Sequence, residues 1–386
     1  MKKKHQNIGI VVFPISEAGD APLSNDTKAS NAPISNLVDI LHHFSDKLYV
    51  ITGDREWVLF KKDVEMYVTE VQHKGGANLF TRVINYTYTQ LRLSLKLAKL
   101  SRKVNLWIFF MGAEGLVLPM VTARLLRRQV VVVLTGFRTN VNKQENDVPL
   151  KIADLLLRIN LALSNRIIAY SEMIVAERNL ETHRSKISIA REHFLDFSKF
   201  KIQRPLGQRD NLVAYISRLS EGKGILNFME ALTRVLVSRT DISFLIGGDG
   251  PLRGKVNDYL DKANLRGKVN FVGWIPHDEL SEYLNDIKLL VLPSYTEALP
   301  NIILEAMACG TPVLATTVGA IPDIIRDGET GFIMEDNSPD CVTRNIIRAL
   351  GHLDLDKIAD NAHALVEKEY SFEVAVKGMR SILTDD

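Results

Sequence analysis

Short β-branched runs alternating with amphipathic segments of helical length recur along almost all of the 386 residues, and this rhythm limits the fold more than any single motif does. Strand-like runs stand near residues 8–13, 48–52, 107–111, 130–134, 166–170 and 187–190, and again near 212–216, 243–247, 269–272, 288–292, 312–315 and 332–334. Between them apolar residues return with the helical period, as in Ile225, Phe228, Met229, Leu232, Val235 and Leu236. This is the βαβ rhythm of a parallel sheet with helices on both faces, so the fold class is α/β. The chain is longer than one hydrophobic core sustains, which makes two Rossmann-like domains in series the expectation. The least periodic stretch, 198–210, carries Arg204-Pro205-Leu206-Gly207 and reads as the linker, with one domain at 1–200 and the next at 201–370. Ligands in such sheets sit off the carboxyl ends of the strands, so chemistry is sought in the loops that follow them.

Composition removes several alternatives. With 46% hydrophobic and 24% charged residues, the chain has apolar surface for two cores and no mark of disorder. No apolar run approaches the roughly 18 residues that span a bilayer. Met1-Lys2-Lys3-Lys4 followed by the apolar stretch Ile8 to Ile15 has the basic start of a signal peptide. That stretch is short and lacks a small-residue cleavage site, so it reads as a first strand. Cys309 and Cys341 have neither disulfide-framework nor metal-ligand spacing and read as structural thiols of a cytoplasmic protein. The net charge of +2 conceals a division: residues 1–200 hold 28 Lys and Arg against 19 Asp and Glu, residues 201–386 hold 20 against 27. Within 74–138 there are 11 basic residues and a single acid, Glu114, which points to an anionic partner for the first half. The basic residues lack interleaved aromatics, which argues against nucleic acid as that partner.

The segment Glu297-Ala298-Leu299-Pro300-Asn301-Ile302-Ile303-Leu304-Glu305 carries the sharpest chemistry. Pro300 suits a first helical turn and Gly310 the position past a helix end, so a short helix is expected from about 300 to 309. Glu297 then lies in the loop entering the helix, and Glu305 shares a face with Asn301. Amides at a helix start attract phosphate, and carboxylates accept from paired sugar hydroxyls, so the pattern suits a sugar nucleotide. Earlier, Ser217-Arg218-Leu219-Ser220-Glu221-Gly222-Lys223-Gly224 follows a strand and opens a helix. There Arg218 can bind a diphosphate bidentately and Lys223 as a point charge, against the plainer reading of a solvated basic loop. It is not a P-loop, because Ser217 replaces the first glycine and Gly224 the Ser/Thr. Gly248-Asp249-Gly250 fails as a dinucleotide fingerprint, since Arg253 stands where the third glycine is required; it reads as a ligand-approaching or a structural turn. Gly273 would admit a flat base, while Trp274 reads as donor contact or core. The one D-x-D, Asp354-Leu355-Asp356, lies away from the strand ends, so no metal site is expected.

Taken in order, SRLSEGKG, GGDGP, VGWIP, PSYTEALPNIILEAMACGTPVLA and GAIPDIIRDGETGF resemble the nucleotide-binding half of the retaining GT-B glycosyltransferases of family 4. The resemblance covers about residues 211–370. It implies a GT-B architecture: two Rossmann-like domains facing across a cleft, with a terminal helix at 371–386 crossing back to the first. It implies Arg218 and Lys223 on the donor diphosphate, Glu297 on the transferred sugar and Glu305 on the ribose hydroxyls, with backbone contacts from Leu299, Pro300 and Asn301. It implies transfer from a UDP- or GDP-sugar with retention, no bound metal and no cofactor. The alternatives are a sugar-nucleotide epimerase or hydrolase on the same fold and a non-catalytic glycan- or nucleotide-binding partner.

The first half departs from the family. Val133-Leu134-Thr135-Gly136-Phe137-Arg138 carries no His where many relatives have one, and Arg191-Glu192-His193-Phe194 stands where Asn-Gly is usual. Glu114 and Arg138 are candidates for the acceptor side. Within 91–104, Arg92, Lys96, Lys99 and Lys103 form a cationic stripe beside Leu93, Leu97, Leu100 and Val104. Such a helix suits peripheral contact with an anionic membrane and a glycan or lipid-phosphate-linked acceptor, against the plainer reading of an outer helix with its leucines in the core.

Overall fold

The computed structural model describes residues 7–13, 32–53, 65–73, 75–135, 148–297 and 299–384. Their packing divides the chain into two compact units, one ending at His193 and rejoined from Ala375 onward, the other running from Phe194 to Val374. Each unit is a doubly wound α/β layer structure on a parallel sheet.

In the first unit the strands are β1 (Ile8–Val12), β2 (Leu48–Thr52), β3 (Met66–Glu70), β4 (Leu106–Phe110), β5 (Gln129–Leu134), β6 (Arg166–Ala169) and β7 (Ile187–Ile189). They lie in the order β3-β2-β1-β4-β5-β6-β7, with Ile8 opposite both Leu48 and Leu106. Every residue of β1, β2 and β4 is buried, the continuous apolar run expected of a strand covered on both faces. Strand order reverses between β1 and β4, and the loop after β4 holds Met111 and Gly112 with positive φ and then Glu114. The sequence reading missed β3. It is an edge strand with no buried residue, so it lacks the apolar run that marks the others.

Leu93, Leu97 and Val104 are fully buried, so the leucine row assigned to lipid serves the core of this unit. The helix that carries Leu93 and Leu97 spans Leu79–Leu100, which leaves Lys103 in the turn beyond it and Val104 past that turn. The helix Phe372–Leu383 closes the chain; Arg166 donates to the carbonyl of Ile382, and Met379 and Leu383 are buried.

One buried group at the end of this unit carries a measurable consequence. Glu192 is 2% exposed, and its Oε2 has no hydrogen bond among the described residues. Burial pushes its carboxyl up to about 8, from 4.5. The folded state therefore keeps the proton between about pH 4.5 and 8 while the unfolded chain loses it, and stability falls as pH rises through that window. Glu192→Gln, with no proton to lose, is expected to melt increasingly above wild type from pH 5 to 8, by about 2 kcal/mol or more at the upper end. Parallel melting curves across that range would show that the carboxyl is not held protonated.

The second unit holds β8 (Leu212–Ile216), β9 (Ser243–Gly247), β10 (Val269–Gly273), β11 (Leu289–Leu292), β12 (Val313–Thr316) and β13 (Phe332–Met334) in the order β10-β9-β8-β11-β12-β13, all parallel. Alternate strand residues feed two cores. Val213, Tyr215, Phe244, Ile246 and Val291 pack with the helices Ile225–Ser238 and Pro339–Leu350, while Ala214, Ile216, Leu245, Leu290 and Leu292 pack with Leu280–Asp286 and Asn301–Ala308. The stretch 198–210 belongs to this unit. Phe200 and Leu206 are buried, and the Arg209 guanidinium donates to the carbonyls of Arg204, Leu284, Ile287 and Cys309 and to Thr311 Oγ1. Burial lowers that guanidinium to about 10.

Candidate functional site

The order of the second sheet reverses between β8 and β11, and the loops leaving these two neighbours carry the residues singled out from sequence. Adjacent strands whose connections depart to opposite faces leave a crevice at their carboxyl ends. Ser217–Gly224 follows β8 and Pro293–Pro300 follows β11.

Two glycines let the loop after β8 close on its neighbours, the loop after β11 and the turn after β9. At Gly224, φ +69°, a Cβ would stand 1.9 Å from the carbonyl oxygen of Pro293. At Gly248, φ +124°, a Cβ would stand 1.9 Å from the carbonyl oxygen of Ser217. Both positions are therefore required by backbone packing within the protein itself. Further ties fix the β8 loop. Tyr215 Oη donates to the carbonyls of Arg218 and Lys223, both at 3.2 Å, and Tyr295 N–H donates to Gly222 O at 3.0 Å. Leu219 N–H donates to Asp249 O at 2.9 Å, which joins the Gly-rich turn to the same assembly. The Asp249 carboxylate accepts from Gly250 N–H at 2.7 Å and from the Arg253 guanidinium at 2.9 Å.

On this frame Lys223 Nζ reaches Glu297 Oε2 at 2.6 Å. The other carboxylate oxygen, Oε1, accepts from Ser294 Oγ at 2.7 Å, and Ser294 O accepts from Thr316 Oγ1 at 2.6 Å. Glu297, Ser294 and Thr316 are buried, while Lys223 is half-buried. A carboxylate held at both oxygens is fixed in orientation and is a poor nucleophile, so its chemistry is that of a positioned negative charge. Arg218 is exposed and forms no ion pair among the described residues, so its donors stay available to an anion.

The helix after this loop runs Asn301–Ala308, with Pro300 as its N-cap at φ −70°, ψ 121°. Pro300 thus stands one residue before the first turn rather than in it, where the sequence reading placed it. No side chain caps this end and its first turn holds no acid; Ile303 N–H donates to Pro300 O at 3.1 Å, which leaves the Asn301 and Ile302 amides and the positive end of the dipole for phosphate. Gly310, φ +68°, follows the helix as the sequence reading required.

Glu305 is buried on the same helix, and His277 Nε2 lies 2.9 Å from its Oε1. Lys199 Nζ lies 2.9 Å from His277 Nδ1 and 2.9 Å from Asp278 Oδ1. Lysine only donates, so Nδ1 accepts and Nε2–H donates to Glu305, an assignment that follows from the network. Lys199, His277 and Glu305 form a chain that orients the second carboxylate. Gly273 closes β10 with φ +71°, and its missing Cβ would meet the Arg253 guanidinium at 3.7 Å. Trp274 is 43% exposed, which removes the core reading of this residue.

The first unit offers fewer described candidates. Glu114 lies in the loop at its own strand-order reversal, with its side chain outside the described residues, and Arg138 lies outside them entirely. Ser294, Thr316, His277 and Lys199 were not singled out from sequence. Ser294 lies inside the segment quoted for the resemblance, where a serine three residues before Glu297 carried the signal.

Residues 196–363 match the family model for glycosyl transferases group 1. N-acetyl-alpha-D-glucosaminyl L-malate synthase of Bacillus anthracis is 23% identical over 324 residues, covering 81% of this chain and 83% of the relative. Alpha-D-kanosaminyltransferase of Streptomyces kanamyceticus is 30% identical over 165 residues, covering 42% of this chain and 43% of the relative. Among solved structures, Anabaena Alr3699/HepE in complex with UDP superposes with TM-score 0.72 at 16% identity, covering 98% of this chain and 99% of that one. Sucrose-phosphate synthase from Thermosynechococcus elongatus gives TM-score 0.71 at 17% identity, with 98% of each chain covered. At these identities the structures establish the fold, which is that of the GT-B glycosyltransferases.

Proposed function

The chain carries a glycosyl transferases group 1 domain and is a glycosyltransferase acting with a nucleotide sugar, and from that premise we propose that it moves a hexosyl group from a UDP-sugar to a glycan or lipid-phosphate-linked acceptor, with retention and without a bound metal. The observation that carries the reading is the Lys223–Glu297 pair at the sheet's switch point, beside the exposed Arg218. Likeness to a structure that binds UDP supports uridine over guanosine as the base.

In this reading Arg218, Lys223 and the open start of the Asn301–Ala308 helix compensate the diphosphate, whose negative charge grows as the sugar departs. That positive set is the reason a divalent ion is not required. Glu297 faces the sugar as it becomes cation-like, and Glu305, oriented by His277, accepts from the ribose hydroxyls. Gly248, Asp249, Gly250, Gly273, Trp274, Leu299 and Pro300 complete the donor side. Glu114 and Arg138 are assigned to the acceptor side. The boundary between the two domains is taken at His193 and Phe194, seven residues before the position expected from sequence, with the terminal helix at 371–386, in a cytoplasmic protein in peripheral contact with an anionic membrane.

Calorimetry with UDP, GDP and ADP, with and without EDTA, tests the donor assignment. We expect UDP to bind at least about tenfold more tightly than the others, a difference of about 1.4 kcal/mol, and EDTA to leave its affinity unchanged. Preference for GDP would reassign the base. Loss of binding in EDTA would refute the metal-free donor site.

A further inference from the structure

The helix Leu79–Leu100 presents three distinct faces. One, with Leu93 and Leu97, is buried in the first unit. A second carries Phe80, Ile84, Tyr88, Leu91 and Leu95, all exposed, with Phe80 and Leu95 each at 73%. At roughly 100° per residue these five side chains fall within an arc of about 80°, a continuous apolar row along most of the helix. The third, adjoining the apolar row, carries Arg92, Lys96 and Lys99, all exposed. The Arg92 guanidinium lies 5.8 Å from the centre of the Tyr88 ring. The 22 residues of the helix include no Asp or Glu.

The neighbouring helices extend the same chemistry. Val117–Leu125 packs against this helix and exposes Leu118, Arg124 and Leu125. Val148–Leu163 packs against Val117–Leu125 and exposes Ile152, Leu155, Arg158 and Ile159. A long apolar row left open to water is unfavourable unless something covers it. A protein partner of ordinary composition would be met by charges of both signs, whereas the charged residues described on the Leu79–Leu100 helix beside this apolar row are cations. That combination matches a lipid surface with anionic headgroups, where apolar side chains enter at the headgroup boundary and Lys and Arg sit at the phosphates. Among the described residues no helix is long and apolar enough to cross a membrane, so the geometry is that of a helix lying on the surface.

We propose that the Phe80–Leu95 row, flanked by Arg92, Lys96 and Lys99, docks the first unit on an anionic lipid surface. The inference rests on the peripheral-contact part of the functional reading and is independent of the transfer chemistry. It assigns that contact to a face other than the Leu93 and Leu97 row.

Co-sedimentation of the full chain with phosphatidylcholine vesicles, with and without phosphatidylglycerol, tests it. Wild type is expected to sediment only with the anionic vesicles and to be released by salt. Leu91→Ser with Leu95→Ser, and separately Arg92→Glu with Lys96→Glu, are each expected to lower the partition coefficient at least about tenfold. These side chains are exposed, so circular dichroism and UDP affinity are expected to match wild type. Wild type that ignores anionic vesicles would overturn peripheral contact altogether. Wild type that binds while both double variants bind equally well would overturn the assignment of this face. A dimer abolished by the Leu91 and Leu95 changes, with no lipid binding, would give the row to a second copy of the chain and overturn the proposal.

Discussion

Glu297→Ala is expected to bind UDP at least as tightly as wild type and yet to transfer sugar about 100- to 1,000-fold more slowly. The separation follows from the pair at 2.6 Å. In the free protein Lys223 spends part of its charge on Glu297 Oε2, so deleting the carboxylate frees the ammonium for the diphosphate. Ground-state nucleotide binding therefore loses nothing. Transfer loses a fixed negative charge where positive charge grows on the sugar, an interaction stronger in the transition state than in the bound donor. Ser294 Oγ, at 2.7 Å from Oε1, holds that charge in place, and Ser294→Ala should move in the same direction with a smaller effect. The measurement is kcat beside calorimetric UDP affinity for one preparation. Turnover within a few-fold of wild type would remove Glu297 from the reaction. A parallel loss of UDP binding would make it a donor-binding residue instead.

Much of this arrangement was legible in the residues because its parts are local. Strands buried on both faces must be continuously apolar, which is why β1, β4 and β11 stand out in the sequence, whereas the edge strand β3, with no buried residue, does not. The Glu297-to-Glu305 segment and the Arg218–Lys223 loop announce themselves by residue type and spacing within nine residues of chain or fewer. What the sequence hides is tertiary. Lys199 is 78 residues from His277, and His277 is 28 from Glu305, so no spacing rule joins the three side chains. The long helix shows a subtler limit. Leu93 and Leu97 share the helical period with Leu91 and Leu95, so periodicity reports that apolar rows exist and not which one faces the core. Helices packed around it supply that phase.

Arg218→Ala is expected to weaken UDP about 10- to 150-fold, the range for charge-assisted hydrogen bonds worth about 1.5–3 kcal/mol. Its guanidinium is exposed and unpaired among the described residues, so the free protein holds no carboxylate partner that its deletion would leave stranded. The loss therefore reports the ligand contact itself rather than damage to the fold. The loop around it is fixed by backbone bonds, with Tyr215 Oη donating to Arg218 O, and these survive truncation of the side chain. Arg218→Lys should recover charge without the planar fork and stand between the two. Salt separates the contributions further. Part of the Arg218 contribution is a screened attraction of an exposed cation for the diphosphate, so the ratio of wild-type to Arg218→Ala affinity should shrink as ionic strength rises. UDP affinity equal in wild type and Arg218→Ala at low salt would remove Arg218 from the donor site and leave Lys223 and the start of the Asn301–Ala308 helix to hold the diphosphate.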